Sequence, residues 1–494
     1  MRQSIGKSNC IRSACSSLLA AATLGVAPVH AAVTVSSGVT RNVTCSAGVC
    51  APTATQAVLN VNDLENLLAV GNVEVTTTGS GVQAKDIVVK ATLTWSASNS
   101  LTLDAYRSIA VEKPMSITEQ SGLTLTTNDG GMNGDLTFGK KGSVTFANLS
   151  SSLTIDGAPY ALVNSLQSLA NAIANNPSGD FAFAGSYNAK QDGTYTNNPI
   201  PTTFSGIFEG LGNTISHFAM TSGKGVEGGV FFTIGPEGVV RDLGLVEVKV
   251  RSPQFAGSLA VNGGGYVAHC YVTGSVTATG SGFVGGLLAV NANTGSVGDS
   301  YSTTTVTGGR NSGVGGLVGG NGGVIIGSFA TGRVTEMRGG TKFSGAEVGG
   351  LVGVGGQDPA AAVVNSYATG AVTSIGGLNS SAGGLIGQNG TSISTSYSTS
   401  AVSNSGGDGS FTGGLIGVDG STPGSLSDTD WDTDTSGIMD PAQGAGNVAN
   451  DPGITGLTTA QLQSGLPPGF DPTVWAESPN INGGLPYLLA NPPP

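Results

Sequence analysis

The sequence predicts an all-β chain folded as a right-handed parallel β-helix, with one short helix inserted in it or capping it. Two repeats and the composition predict that fold. The first repeat is a Gly-Gly-Leu step followed by an aromatic residue and a small-residue tail. It reads VGGLLAVNANTGSVGDSYSTTTV, VGGLVGGNGGVIIGSFATGRV, VGGLVGVGGQDPAAAVVNSYATGAV and AGGLIGQNGTSISTSYSTSAV, with the looser AGSLAVNGGGYVAHCYVTGSV before them. The leucines are Leu259, Leu287, Leu317, Leu351, Leu385 and Leu415, and periods of this length mark solenoids or propellers. The second repeat is shorter: SLTLDA at Ser100 returns as GLTLTT at Gly122. That shift is about the length that three strands of ~4–6 residues and three turns consume. Composition agrees, with 81 glycines in 494 residues and 10% charged residues. Polar bulk carried by Ser, Thr and Asn suits strands and tight turns better than helices. Propeller blades run longer, at ~40–50 residues, and carry Trp or Gly-His signatures that these repeats mostly lack. The crossover rule for parallel strands favours the right hand.

Residues 1–31 read as a secretory signal. Arg2, Lys7 and Arg12 form a basic start, Ala14–Ala27 is apolar and small, and Val29-His30-Ala31 offers a cleavage site. Cleavage there removes three positive charges and no negative ones, moving the formal charge from −12 to −15. Such an acidic chain has no electrostatic footprint for nucleic acid. No stretch after the signal is apolar for long enough to span a bilayer as a helix. An exported chain favours a local disulfide between Cys45 and Cys50. Residues 32–159 form the N-terminal β-helix segment, which includes this lead-in and a helix-like stretch, VNDLENLLAVG. Residues 160–203 hold the best helix candidate, with Leu162, Leu166, Leu169 and Ile173 at helical spacing over 160–176, and a connecting insertion. Residues 204–436 form the main repeat block, and 437–494 a C-terminal cap or tail with a short possible helix, LTTAQLQSGL.

Stacked coils place equivalent residues ~4.8 Å apart. Leu287, Leu317, Leu351, Leu385 and Leu415 should therefore form an internal apolar column, and Tyr301, Phe329, Tyr367 and Tyr397, headed by Tyr271, an aromatic one. Trp431 is expected to continue the aromatic column. Cys270 occupies the slot held by Ser300, Ser328, Ser366 and Ser396, as a buried small side chain. The paired glycines fit close backbone approaches or positive φ.

Catalytic motifs are missing. No GxSxG, HExxH or phosphate-binding loop occurs, and His217 and His269 show no triad or metal spacing. No catalytic or cofactor-binding residue and no cofactor is assigned. The alternating carboxylates Asp428, Asp430, Asp432 and Asp434 are weak metal candidates, because the EF-hand frame fails at Thr435 and Pro441. Asp299, Arg310, Arg333, Glu336, Arg338, Lys342, Glu347 and Asp358 are expected mostly in the variable insertions. A carbohydrate-active β-helix enzyme would need clustered carboxylates with Arg or Lys on neighbouring coils.

The phrases GGLVGGNGGVIIGSFATGRV, SYATGAV and SYSTSAV resemble the GLUG repeat of filamentous-haemagglutinin-like bacterial surface adhesins, with the core seen at Gly316-Leu317-Val318-Gly319 and Gly384-Leu385-Ile386-Gly387. The likeness extends through TFSGIFEGLGNTIS, SLTLDAYRSI, WDTDTSG and GLTTAQLQSGLPPGFDPTVW. It implies a secreted or cell-surface β-helix of a Gram-negative bacterium. The function implied is non-catalytic cell adhesion, with host or environmental glycans or proteins as partners and an outer-membrane secretion partner. A structural matrix component is the other non-enzymatic alternative.

Overall fold

A computed structural model describes residues 31–337, 345–375 and 377–494; the expected signal peptide up to residue 30, Arg338 and Lys342 lie outside the described residues. Parallel coils stack into a β-solenoid of about 12 turns. Among the described residues there are three α-helices rather than one: Val61–Val70, Leu166–Asn175 and Thr459–Leu462. Each begins at a side chain that accepts a backbone N–H of the first turn, from Asn60, Ser165 and Thr458 respectively. The second helix is shorter than its apolar spacing suggests. Ala158–Val163 is a strand, so Leu162 belongs to a sheet, and the Ser165–Ser168 capping box sets the helix start.

In the first block, strands Val73–Thr76, Leu101–Asp104, Gly122–Thr126 and Ser152–Ile155 stack in parallel. Leu101 faces Leu123, so the 22-residue shift is one coil. The strand Ala32–Ser36 inserts between Gln56–Asn60 and Asp86–Val89, parallel to both. An antiparallel hairpin carrying the Cys45–Cys50 disulfide pairs with the first of the stacked strands. The helix Val61–Val70 buries Val61, Leu64 and Leu68 in this block's core.

In the second block, the N–H of Leu259 donates to the carbonyl of Leu287 on the next coil, and the pattern repeats through Leu317, Leu351, Leu385 and Leu415 at 2.8–3.0 Å. All six side chains are fully buried. The paired glycines here work by close approach. A Cβ at Gly315 would strike the Val318 carbonyl, and one at Gly316 the Gly350 carbonyl. Leu351→Ala should cost about 2–5 kcal/mol, because rigid coils on both sides cannot collapse into the space. Denaturant unfolding monitored by far-UV circular dichroism checks this.

Tyr271, Tyr301, Phe329, Tyr367 and Tyr397 form a stack, with successive ring centroids 4.8–5.2 Å apart and planes within 9°. Trp431 does not extend it. Trp431 pairs with Ser398, while Asp430 stands opposite Tyr397. Strand alternation therefore turns Trp431 into the core beside Gly414. The insertions between Leu and aromatic vary in length, so counting from Leu415 misses the phase by one residue.

The tail does more than cap the last coil. Ile454–Leu457 adds a parallel strand to Leu426–Asp432. The chain then runs back along the side of the solenoid, packing Phe470, Trp475 and Leu488 against Phe329, Tyr367 and Tyr397. Asn491 Nδ2 donates to the Gly327 carbonyl at 3.0 Å, and Lys140 Nζ to the Pro493 carbonyl at 2.8 Å. Among the described residues, no helix is long and apolar enough to cross a membrane.

Candidate functional site at the junction of two cores

The two blocks meet where the strands reverse. Ser152–Ile155 pairs antiparallel with Ala158–Val163 through a turn at Asp156 and Gly157, both at positive φ. Phe181–Phe183 then pairs parallel with Ala158–Val163, and Ile207–Glu209 with Phe181–Phe183. The strand Phe181–Phe183 is buried on both faces there. Leu153, Tyr160, Ala182 and Ala184 belong to the first core; Val163, Phe181 and Phe183 belong to the second. Reversing the strand direction while moving the interior to the opposite face lets parallel coiling resume. The helix Leu166–Asn175 packs Leu166, Leu169 and Ile173 into the second core.

Seven successive coils of the second block turn one corner through a left-handed residue: Asp242, His269, Asp299, Gly327, Asn365, Thr395 and Asp428, at φ 43–62°. Asp, Asn, His and Gly are the residue types that tolerate this region best. Each corner from Asp242 to Asn365 donates its N–H to the residue before the next corner, at 3.0–3.2 Å. The residue after each corner forms an internal ladder. The N–H groups of Cys270, Ser300, Ser328 and Ser366 donate to Oγ of the next serine at 3.1–3.3 Å. Each serine hydroxyl donates in turn to the carbonyl two residues back, at 2.8–2.9 Å. Cys270 takes the first serine slot and is buried.

The first three corners carry charge, and here the blocks touch through side chains. Arg241 Nε donates to Glu209 Oε2 at 2.6 Å and lies 4.0 Å from Asp242 Oδ2. Arg241 Nη1 reaches Asp135 Oδ1 of the first block at 3.4 Å. His269 stands between Asp242 (Nδ1 to Oδ1, 3.5 Å) and Asp299 (Nε2 to Oδ2, 3.8 Å). Glu209 and Asp242 are buried; Asp135 and Asp299 reach solvent. Burial, and then the Asp242 charge, push the Glu209 carboxyl up to about 8 despite Arg241. Burial alone would lower His269, but Asp242, Asp299 and Asp135 outweigh it and hold the imidazole at about 9. Burial pushes Tyr266 up to about 12 and raises Asp135 and Asp299 above the usual carboxylate range. At neutral pH these shifts leave Glu209 protonated and His269 charged beside Arg241.

Asp299 is therefore a corner residue rather than part of an insertion, and Glu336 is buried, accepting from Ser374 Oγ at 2.7 Å. The four aspartates after Ser427 serve the tail and the corner instead of converging. Asp428 is a corner, Asp430 is buried and pushed up to about 7, and Asp432 accepts from Thr459 Oγ1 at 2.6 Å. Asp434 Oδ2 accepts the Thr459 N–H at 3.0 Å. Among the described residues, no group of three His, Cys, Asp or Glu side chains is placed to hold a metal. His217 pairs with Glu247 at 2.9 Å, apart from the cluster.

No family model and no curated protein matches the chain. Among solved structures, a crystal structure described as "a putative immunoglobulin A1 protease from Bacteroides ovatus" is similar over 67% of this chain and 93% of its own, at 18% identity and a TM-score of 0.40.

Proposed function

We propose that this protein is an exported, cell-surface β-solenoid of a Gram-negative bacterium that works as an adhesive surface without catalysis. The observation that carries this reading is a rank of hydroxyls on one outer face. Thr277, Thr307, Thr335, Thr373 and Ser403 stand in register on five successive coils, half-buried or exposed. Spaced at ~4.8 Å and uncharged, they offer donors and acceptors at a fixed repeat, which suits a glycan or protein surface better than a small molecule. Two grooves at the surface of the described residues are open and modest. One of about 350 Å³ runs beside Gln167, Asp192 and Tyr195, and one of about 360 Å³ beside Thr40, Asp63 and Asn66. The resemblance of the repeats to the GLUG type and the secretory signal expected from residues 1–31 agree with the same reading. In Thr335→Asn, which keeps the site uncharged but changes the shape of the rank at its centre, attachment of cells displaying the protein should fall severalfold. The melting temperature, recorded beside it, separates docking from folding. Undiminished attachment sinks the rank as the adhesive face.

A second reading, a carbohydrate-active enzyme, draws on the junction cluster, which places carboxylates, an arginine and a histidine on neighbouring coils. Incubating the protein with a polysaccharide panel tests it. Reducing ends or unsaturated products, lost in Asp299→Asn, would favour it over adhesion.

A further inference from the structure

Between the two blocks the chain leaves the coil as the helix Leu166–Asn175, and soon after as the 3-10 turn Ala189–Asp192 and the loop 196–199. Helix, turn and loop enclose a groove of about 350 Å³, at the lower end of the range that small ligands occupy. Extra chain inserted into a regular scaffold is where function concentrates.

The core behind the groove fixes its walls. Asp192 accepts the Tyr187 hydroxyl at 2.5 Å and the Tyr195 hydroxyl at 2.7 Å, and Tyr187 is buried in the second core. The Tyr195 ring packs on Phe218, and its strand, Thr194–Tyr195, pairs in parallel with Ala219–Thr221. Beyond the loop, Asn198 Nδ2 donates to the Gly229 carbonyl at 2.9 Å, and Ile200 is fully buried. The opposite wall is the helix, which anchors Leu166 and Leu169 in the same core and presents Gln167 and Ala170 to the groove. A cleft held this way has little to order when it binds.

The lining excludes most ligand classes. No Lys, Arg or His side chain lines the groove, so nothing there answers a phosphate or a carboxylate. Its one carboxylate, Asp192, already accepts two phenols, which leaves little to attract a cation. The apolar part, Leu166, Ala170 and Pro199, is too small for an acyl chain. Amides and hydroxyls remain. Gln167 Nε2 donates to Asn171 Oδ1 at 2.9 Å, and Asn197 Nδ2 to Thr196 Oγ1 at 3.4 Å. Each amide therefore keeps its oxygen and a second N–H for a ligand. An acceptor beside a donor matches neighbouring sugar hydroxyls, each of which both donates and accepts.

We propose that this groove binds one neutral sugar residue, held by the amides of Gln167 and Asn197 against Tyr195 and Asp192. The proposal rests on neither the hydroxyl rank nor the adhesive role.

Saturation-transfer NMR of the whole protein tests it. The probes are glucose, galactose, mannose and N-acetylglucosamine, each free and as its methyl glycoside, beside glucuronate and a neutral Gly/Ser peptide. One neutral sugar should bind saturably, with a Kd of about 1 mM for so small a ligand. Binding of the glycoside as well assigns the end of a glycan chain, and binding of the free form alone assigns a free sugar. Gln167→Ala and Asn197→Ala should each weaken binding about threefold and together about tenfold. Both side chains are exposed, so the melting temperature should hold. Thr194→Trp, which fills the groove from its exposed rim, should abolish binding, while Thr335→Asn on the hydroxyl rank should leave it unchanged. No saturable binding of any neutral sugar up to about 50 mM, or binding indifferent to the groove variants, overturns the proposal. So does tighter binding of glucuronate or of the peptide.

Discussion

Replacing Arg241 with leucine should lower stability by about 3–5 kcal/mol at pH 7, read as a shift in the urea midpoint, because removing one partner strands charges held out of water. Arg241 touches Glu209 and Asp135 and lies beside Asp242, and its own side chain is mostly buried. The loss should be local first. Hydrogen exchange should rise in Ile207–Glu209 and Leu136–Phe138, on either side of the junction, before the Leu column exchanges. Replacing Glu209 with leucine as well should recover part of the loss, since it removes the buried carboxyl that the arginine's loss leaves without its hydrogen-bond partner.

The same cluster sets a pH dependence whose sign can be worked out. Glu209 holds its proton to about 8 when folded, against an ordinary 4.5, so its contribution declines as pH rises from about 4.5 to 8. His269 is raised from 6.5 to about 9, so its ion pairs contribute fully below 6.5 and are lost as pH rises through 9. Both trends run downhill. Between pH 6.5 and 8 Glu209 and His269 keep two protons that the unfolded chain has released, a slope of up to about 2–3 kcal/mol per pH unit from this cluster. Asp430 and Glu347, both pushed up to about 7, add to it at the lower end. Glu209→Gln should remove about half of that slope, and His269→Gln the other half. Urea unfolding at half-unit pH steps from 6 to 9.5 measures it. A flat wild-type profile would show that the junction does not retain these protons.

Much of the scaffold was legible because a solenoid writes its geometry into a period. The 22-residue shift from Leu101 to Leu123 and the Leu317–Leu351–Leu385 series translate directly into coils, and aligning the coils places Cys270 in its serine slot. The reversal at Asp156–Gly157 left no such mark. A short polar turn reads alike whether it joins two strands of one coil or a hairpin, and only the packing of Tyr160 in one core and Val163 in the other reveals the change of face. The charged junction was hidden for another reason. Its members are spread from Asp135 to Asp299, and single charges read as loop residues. One signal was present: Asp242, His269 and Asp299 each stand two residues before Gly244, Tyr271 and Tyr301, the register of the aromatic stack. Trp431 shows the limit of counting, since a one-residue difference in an insertion sends a side chain to the opposite face.

Trp475→Ala should separate the tail from the solenoid it covers. The ring is buried against Tyr367, Tyr397 and Phe470, and losing a buried Trp costs about 3–5 kcal/mol. That exceeds what the remaining anchors can offset locally. Those anchors are Leu488, the hydrogen bond from Tyr397 to the Pro486 carbonyl, and Asn491 on Gly327. The consequence differs from that of Leu351→Ala. Leu351 lies between coils, so its loss is felt by the whole cooperative unit. Trp475 is held on an outer face, so the 458–494 segment should detach while the coils persist. Limited proteolysis should then cut first within 458–494 and leave a resistant solenoid. Tyr367 and Tyr397 should become accessible to tetranitromethane while the circular dichroism of the coils is kept. Simultaneous loss of tail and coils would instead make the tail part of the same folding unit. In that case the aromatic stack, whose outer edge the tail covers, would be one of the coils' main supports.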